Sequence, residues 1–308
     1  MKNFINISNH SSSDLRAIID EAKTRKLSRK GFNKSAPDDD KPFEGKSMAM
    51  IFEKPSTRTR MSFDIAAKQL GGSSIILNPD GIHYGKGDET LKDTAKVLTE
   101  YVDIVMLRTS SHKNLEEFGK HLDIPIINGL SDKSHPCQIM SDILTYEESN
   151  GSITGKTVSW IGDGDNNMSN SLIEAAGKFK FNLKIGCPKK YAPGKKILGW
   201  AKKNKVNLLI TQKPDEAIKN SDCVMTDKWV SMNDKVNKKT KKKILKPFQV
   251  NKKLMKKANS NAIFMHCLPV GRGEEVTDEV IDGKQSVVWR QALNRVHAQK
   301  SIIKWCLD

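Results

Sequence analysis

Ser47-Met48-Ala49-Met50-Ile51-Phe52-Glu53-Lys54-Pro55-Ser56-Thr57-Arg58-Thr59-Arg60 joins an apolar, strand-like run to the start of a helix. Pro55 stops the extended run, and the apolar residues Met61, Phe63, Ile65, Ala66 and Leu70 then follow helical spacing until Gly71-Gly72 closes the pattern. Ser56 and Thr57 therefore fall in the first helical turn, where backbone N–H groups lack intrahelical partners and the helix dipole favours an anion. Two hydroxyls and two guanidiniums at that point describe a phosphate cradle. The stretch has no glycine-rich loop, so it is not a nucleotide P-loop. The plainer reading of the same residues is an ordinary helix cap with surface arginines.

Working outward, short apolar or β-branched runs alternate with helical patterns from Ser47 to the end, as in parallel sheets with crossover helices. Strands are expected over 47–52, 74–77, 104–107 and 124–128 in the first half. The second half offers 157–162, 182–187, 208–211, 223–226 and 262–266. Helices are expected over 13–26, 138–148 and 292–307, and the turn Ser149-Asn150-Gly151-Ser152 marks a domain boundary. The fold class expected is α/β, with two doubly wound parallel-sheet domains and the active site in the cleft between them. Lys54–Arg60, Arg108 and His135 follow strands of the first half; Gly162-Asp163, Asp227 and Cys267 follow strands of the second. Open α/β sheets bind ligands outside the carboxyl ends of their strands, so the two halves direct chemistry to one place.

At 308 residues the chain accommodates two such domains. No apolar run is long enough to span a bilayer, and the N-terminal residues turn polar at once, so a cytoplasmic protein without a targeting segment is expected. Cys137, Cys187, Cys223, Cys267 and Cys306 lie far apart without a Cys-x-x-Cys pair, which points to reduced thiols rather than a disulfide framework or zinc site. The net charge of +16 owes much to lysines between positions 235 and 257. One reading is a nucleic-acid footprint; the other is a solvated helical face over a buried stripe of Ile244, Leu245, Phe248, Leu254 and Met255. The absence of interleaved aromatics favours the second.

The ordered set Ser56-Thr57-Arg58-Thr59-Arg60, His135-Pro136-Cys137-Gln138, Asp163-Gly164-Asp165-Asn166-Asn167, Thr226-Asp227-Lys228-Trp229-Val230-Ser231-Met232, His266-Cys267-Leu268-Pro269 and Asn294-Arg295-Val296-His297 resembles the ornithine branch of the aspartate/ornithine carbamoyltransferase family over essentially the whole chain. The resemblance implies carbamoyl transfer to L-ornithine without a cofactor or metal. Residues 1–148 would bind carbamoyl phosphate, residues 149–290 would bind ornithine, and the helix 291–308 would pack back onto the first domain. It assigns Ser56, Thr57, Arg58, Thr59 and Arg108 to the phosphate, and His135 and Gln138 to the carbamoyl group. His83 would reach a neighbouring site in a homotrimer, from a loop one residue longer than the common pattern. Asn167 and the Met232 backbone would take the α-carboxylate, Asp227 and Ser231 the α-ammonium. Cys267 and Leu268 would approach the side-chain amine, and Arg295 the carbamoyl end. The catalytic set implied is Arg108, His135, Cys267 and Arg295. Arg60 is read from its helical position as a structural salt-bridge former.

Gly271, where relatives often carry histidine, and Leu293 and Arg290, near a frequent acid, depart from the family pattern. Neither departure falls on an assigned contact. Two rivals within enzymes are a carbamoyltransferase for putrescine or N-acetylornithine, and a nicotinamide-dependent dehydrogenase suggested by Trp160-Ile161-Gly162-Asp163-Gly164. That segment lacks the third glycine of a dinucleotide fingerprint. A rival of another class is a basic nucleic-acid-binding protein.

Overall fold

The computed structural model describes residues 1–78, 89–230 and 237–308. Its strands are β1 (Ser47–Phe52), β2 (Ser73–Leu77), β3 (Ile104–Arg108), β4 (Ile126–Leu130), β5 (Thr157–Ile161), β6 (Asn182–Gly186), β7 (Leu208–Thr211), β8 (Cys223–Thr226) and β9 (Ile263–His266). The helices are α1 (Ser12–Ser28), α2 (Thr57–Gln69), α3 (Leu91–Tyr101), α4 (His112–Lys120), α5 (Pro136–Asn150), α6 (Asn167–Phe179), α7 (Lys195–Lys203), α8 (Pro214–Ile218), α9 (Lys238–Leu245), α10 (Lys252–Met255), α11 (Asp278–Ile281) and α12 (Val288–Leu307).

The chain divides into two compact units, one formed by Met1–Leu144 with Leu293–Asp308 and the other by Thr145–Ala292. The first holds a parallel sheet ordered β2-β1-β3-β4, the second a parallel sheet ordered β7-β6-β5-β8-β9. The expected fold class of two parallel-sheet α/β domains is therefore observed. In each sheet the chain builds outward on one side of a central strand and then returns to its other side. The switch points fall between β1 and β3 and between β5 and β8. Ligands bind at such points in open α/β sheets.

Strands covered on both faces explain why their sequences read as continuous apolar runs. Ala49, Ile51, Val105 and Leu107 pack with Leu98, Leu115 and Phe118 of α3 and α4. Their neighbours Met48, Met50 and Met106 are also buried. In the second unit Ile161, Val224 and Phe264 pack with Ile218, Leu254, Met255 and Ile281. The fourth strand lies two residues later than expected. Pro125 contributes only its carbonyl, which accepts from Val105 N–H, and pairing extends through Gly129 to a register shift at Leu107/Arg108. The N-terminal segment borders this strand, with Phe4 exchanging backbone hydrogen bonds with Ile126 and Asn128 at 2.9 and 2.8 Å.

A buried ionic cluster ties α1 and α12 within the first unit. Asp38 accepts from Arg25 at 2.9 Å, from Arg29 at 2.6 Å and from Lys300 at 2.8 Å, and Lys300 also donates to Gln69 at 3.1 Å. Burial lowers the Lys300 ammonium to about 8, because desolvation outweighs the attraction of Asp38. No helix among the described residues is long and apolar enough to cross a membrane.

Candidate active site

In the first unit, β1 ends at Phe52 and the chain turns through Pro55 into α2. Ser56 is its N-cap, with an extended backbone, and its hydroxyl accepts Thr59 N–H at 3.3 Å. Thr57 and Arg58 occupy the first turn and remain accessible, whereas Thr59 is fully buried. Phe52 pairs with Arg108 across the β1–β3 switch point, which brings the β3 guanidinium beside the α2 start. Arg108 Nη1 donates to Thr59 Oγ1 at 3.0 Å, and Arg295 Nη2, from α12, donates to the same oxygen at 2.8 Å. Both acceptor positions of that hydroxyl are then filled, so its own hydrogen is left to donate.

Arg295 Nη1 also donates to Gln138 Oε1 at 2.7 Å, while Gln138 Nε2 donates to Asp142 Oδ1 at 2.8 Å. These two partners fix the amide with its nitrogen towards α5. His135 precedes α5 and is buried. Desolvation, then the charges of Arg295, Arg108 and Arg58, hold its imidazole well below the usual range, so it is neutral at pH 7. A neutral imidazole carries one N–H, the form that donates to a carbonyl oxygen without adding a formal charge. Arg60 forms no ion pair among the described residues, and Asp80 and Asp88, the acids that follow Asn78 in the sequence, lie outside them. It donates to Asn78 at 2.7 Å and lies 5.0 Å from the Phe52 ring centroid.

In the second unit, β5 ends at Ile161 and is followed by Gly162, whose φ of +128° is open to glycine; a Cβ there would stand 3.4 Å from Thr226 Oγ1 and from Trp229 Nε1. The turn that follows leads to α6. Asn166 caps that helix in a reciprocal capping box with Ser169, and Asn167 is its first residue, partly exposed. Asp227 follows β8 and Cys267 follows β9, and the Cys267 thiol donates to Asp227 Oδ1 at 3.1 Å. Burial raises the Asp227 carboxyl; His266 and the bonds from Cys267 and Lys228 N–H oppose that shift, and Glu275 adds to it. Leu268 has φ +59°, and its N–H donates to His266 Nδ1 at 2.8 Å. That bond places the imidazole proton on Nε2, 3.3 Å from Glu275 Oε1. Asp227, His266 and Cys267 present donor atoms within 4.8 Å of one another, the one grouping among the described residues with metal-ligand chemistry. Both His266 nitrogens are already engaged, so a cation there would displace internal hydrogen bonds.

The carbamoyl-P binding domain of the aspartate/ornithine carbamoyltransferases matches residues 2–148, and the Asp/Orn binding domain of the same family matches residues 154–306. The chain belongs to the aspartate/ornithine carbamoyltransferase family. It is 49% identical over 308 residues to an ornithine carbamoyltransferase of Brucella ovis, a match covering 100% of this chain and 96% of that protein. It is 48% identical over 306 residues to the ornithine carbamoyltransferase of Rhizobium meliloti, covering 99% and 98%. Among solved structures, the Pyrococcus furiosus ornithine carbamoyltransferase superposes with a TM-score of 0.91 at 41% identity, covering 98% of this chain and 96% of that one. The Burkholderia thailandensis enzyme gives 0.89 at 37%, covering 100% and 99%.

Within this carbamoyltransferase chain the residues named from sequence fall into two groups. Ser56, Thr57, Arg58, Thr59, Arg108, His135, Gln138 and Arg295 belong to the first unit, and Asn167, Asp227, Cys267 and Leu268 to the second. His83, Ser231 and Met232 lie outside the described residues. Three supporting residues escaped the sequence reading. Asp142 stands one helical turn from Gln138, a spacing that was there to be found. Glu275 meets His266 through a loop with no periodicity to betray it. Lys241 lies among exposed lysines yet is buried against Asp163, an exception to the solvated lysine face; Leu245, Phe248, Leu254 and Met255 are buried as expected, and Ile244 only partly.

Proposed function

We infer that the protein transfers the carbamoyl group of carbamoyl phosphate to the δ-amine of L-ornithine, giving L-citrulline and phosphate. The observation that carries this reading is the pair of guanidiniums converging on Thr59 beside a neutral His135, at the helix start that follows β1.

The donor binds to the first unit. Ser56, Thr57, Arg58, Thr59 and Arg108 receive the phosphate, each charge-assisted bond contributing about 1.5–3 kcal/mol. Gln138 and His135 hold the carbamoyl group. The acceptor binds to the second unit, with Asn167 at the start of α6 taking the α-carboxylate and Asp227 the α-ammonium, aided by Ser231 and the Met232 backbone. Cys267 and Leu268 meet the side chain. With a lysine-like pKa, presenting the δ-amine as free base at pH 7 costs about 4–5 kcal/mol. A carboxylate beside that amine would increase the cost, which supports placing Asp227 at the other end of the substrate. The uncharged amine attacks the carbonyl carbon. The oxyanion that develops is met by His135, the Thr59 hydroxyl, Arg108 and Arg295, the two guanidiniums being held on Thr59 before substrate arrives. Phosphate then leaves, and the proton lost by nitrogen passes to the Cys267 sulfur as the thiol's own hydrogen moves to Asp227 Oδ1, which it already meets at 3.1 Å.

The same reading extends to a cytoplasmic homotrimer in arginine biosynthesis, with His83 reaching a neighbouring site and no cofactor required. The family likeness supports it, and sedimentation analysis tests the trimer. For the reaction, carbamoyl phosphate plus ornithine should yield citrulline, whereas putrescine, N-acetylornithine and aspartate should give little product. Preference for any of those three would overturn the assignment of ornithine.

A further inference from the structure

One lysine of the basic stretch is turned inward. Lys241, in the second turn of α9, is 5% exposed at its side chain, and its Nζ lies 2.6 Å from Asp163 Oδ2, itself 6% exposed. The ammonium also stands 5.2 Å from the Tyr191 ring centroid. Tyr191 in turn offers its carbonyl to Gly164 N–H at 2.9 Å. Taking two charges out of water is costly, and removing one partner strands the other.

Asp163 commands the turn that starts α6. Its Oδ1 accepts Asp165 N–H at 2.9 Å, and its carbonyl accepts from Trp160 Nε1 at 2.8 Å and from Asn166 Nδ2 at 2.9 Å. Asn166 caps the helix and Asn167 opens it. An acid thus stands next to the helix start that, on the function proposed above, receives a carboxylate. Its field is felt locally: loss of hydration and then the Asp163 charge raise the neighbouring Asp165 carboxyl, and Lys241 opposes the shift.

We propose that Lys241 is a positioning residue for the amino-acid substrate: by neutralising Asp163 and holding the turn from Asp163 to Asn166, it keeps the N-terminus of α6 receptive to the substrate's α-carboxylate. This rests on the reading of Asn167 as the carboxylate contact. The effect acts through charge rather than shape. A neutral residue at position 241 leaves Asp163 uncompensated and repels the carboxylate, and replacing both partners by neutral residues lifts the repulsion.

Steady-state citrulline formation by Lys241→Met, Lys241→Arg and the double variant Asp163→Asn/Lys241→Met tests it, with KM measured for each substrate. Lys241→Met should raise KM for ornithine about tenfold or more and leave KM for carbamoyl phosphate within about twofold. Lys241→Arg should keep most ornithine affinity, and the double variant should recover most of what the single one loses. An unmoved ornithine KM in Lys241→Met, or a double variant no better than the single, overturns the proposal. Should Lys241→Met fail to fold, the double variant decides, since it strands neither partner: ornithine KM should stay within about threefold of wild type, and a rise of about tenfold overturns the proposal. The wild-type reference separates the two readings. No citrulline from wild type refutes the function and this inference together, whereas normal wild-type turnover with an unmoved variant refutes this inference alone.

Discussion

Arg295 and Thr59 stand 236 positions apart in the chain, yet the guanidinium donates to the hydroxyl oxygen at 2.8 Å. Arg108 donates to the same oxygen at 3.0 Å, so one buried atom sets the direction of two cations. Replacing Thr59 by valine keeps the shape and deletes that acceptor. We expect kcat/KM for carbamoyl phosphate to fall about 100-fold, from roughly 1.5–3 kcal/mol per lost charged hydrogen bond, with Thr59→Ser retaining most activity. Steady-state kinetics with each substrate varied in turn would check this.

The residues proposed for the two substrates lie in different units, so their losses should separate. Arg58→Ala should weaken carbamoyl phosphate binding at least about tenfold and spare ornithine, and Asp227→Ala should do the reverse. Titration calorimetry with carbamoyl phosphate, then with ornithine or norvaline on the saturated enzyme, reads both. Equal losses for both ligands in either variant would contradict the division.

His135 should remain uncharged throughout the working range. Its pKa is depressed by burial and by Arg295, Arg108 and Arg58, so protonation is deferred to well below the ordinary histidine value. The acid limb of kcat/KM for ornithine therefore belongs to the substrate amine and its proton acceptor. Ring-labelled His135 followed by NMR should show no titration between about pH 6 and 9. A midpoint near neutrality would remove it from the neutral-donor role.

Acid should destabilise the first unit through His297. Burial, with help from Lys300, Lys26 and Arg29, lowers this histidine from 6.5 to about 3. Between those values the unfolded chain binds the proton and the folded chain does not. Stability from this group is thus complete above the unfolded value and is lost as pH falls, at up to about 1.4 kcal/mol per pH unit. Urea unfolding of His297→Gln at several pH values should show a shallower acid loss than wild type.

Asp38 gathers Arg25, Arg29 and Lys300, and Asp38→Asn should strip these cations of their shared anion. A loss of about 3–5 kcal/mol is expected for a buried cluster broken on one side, measured by denaturant unfolding. Arg25→Lys should cost less, since the charge survives.

Much of this was legible from sequence for identifiable reasons. The parallel sheets announced themselves because strands buried on both faces read as apolar runs, as in Met48 to Phe52. The α2 start was legible because capping chemistry is local, and Ser56 does cap Thr59. Contacts set by tertiary packing were not. Nothing near Arg295 in the sequence points to Thr59 or Gln138, and Lys241 is indistinguishable by type from the exposed lysines beside it. Arg60 likewise meets Asn78 and the Phe52 ring, partners that its place in the sequence does not announce.

Each sheet reverses its strand order once, between β1 and β3 in the first and between β5 and β8 in the second. On the function proposed above, donor recognition and acceptor recognition therefore hang from separate hydrogen-bonded frameworks with separate cores. On that reading a lineage can rewrite the loops after β8 and β9 to accept a different nucleophile while inheriting the acyl-phosphate grip unaltered, so the proposed division favours diversification of one partner at a time.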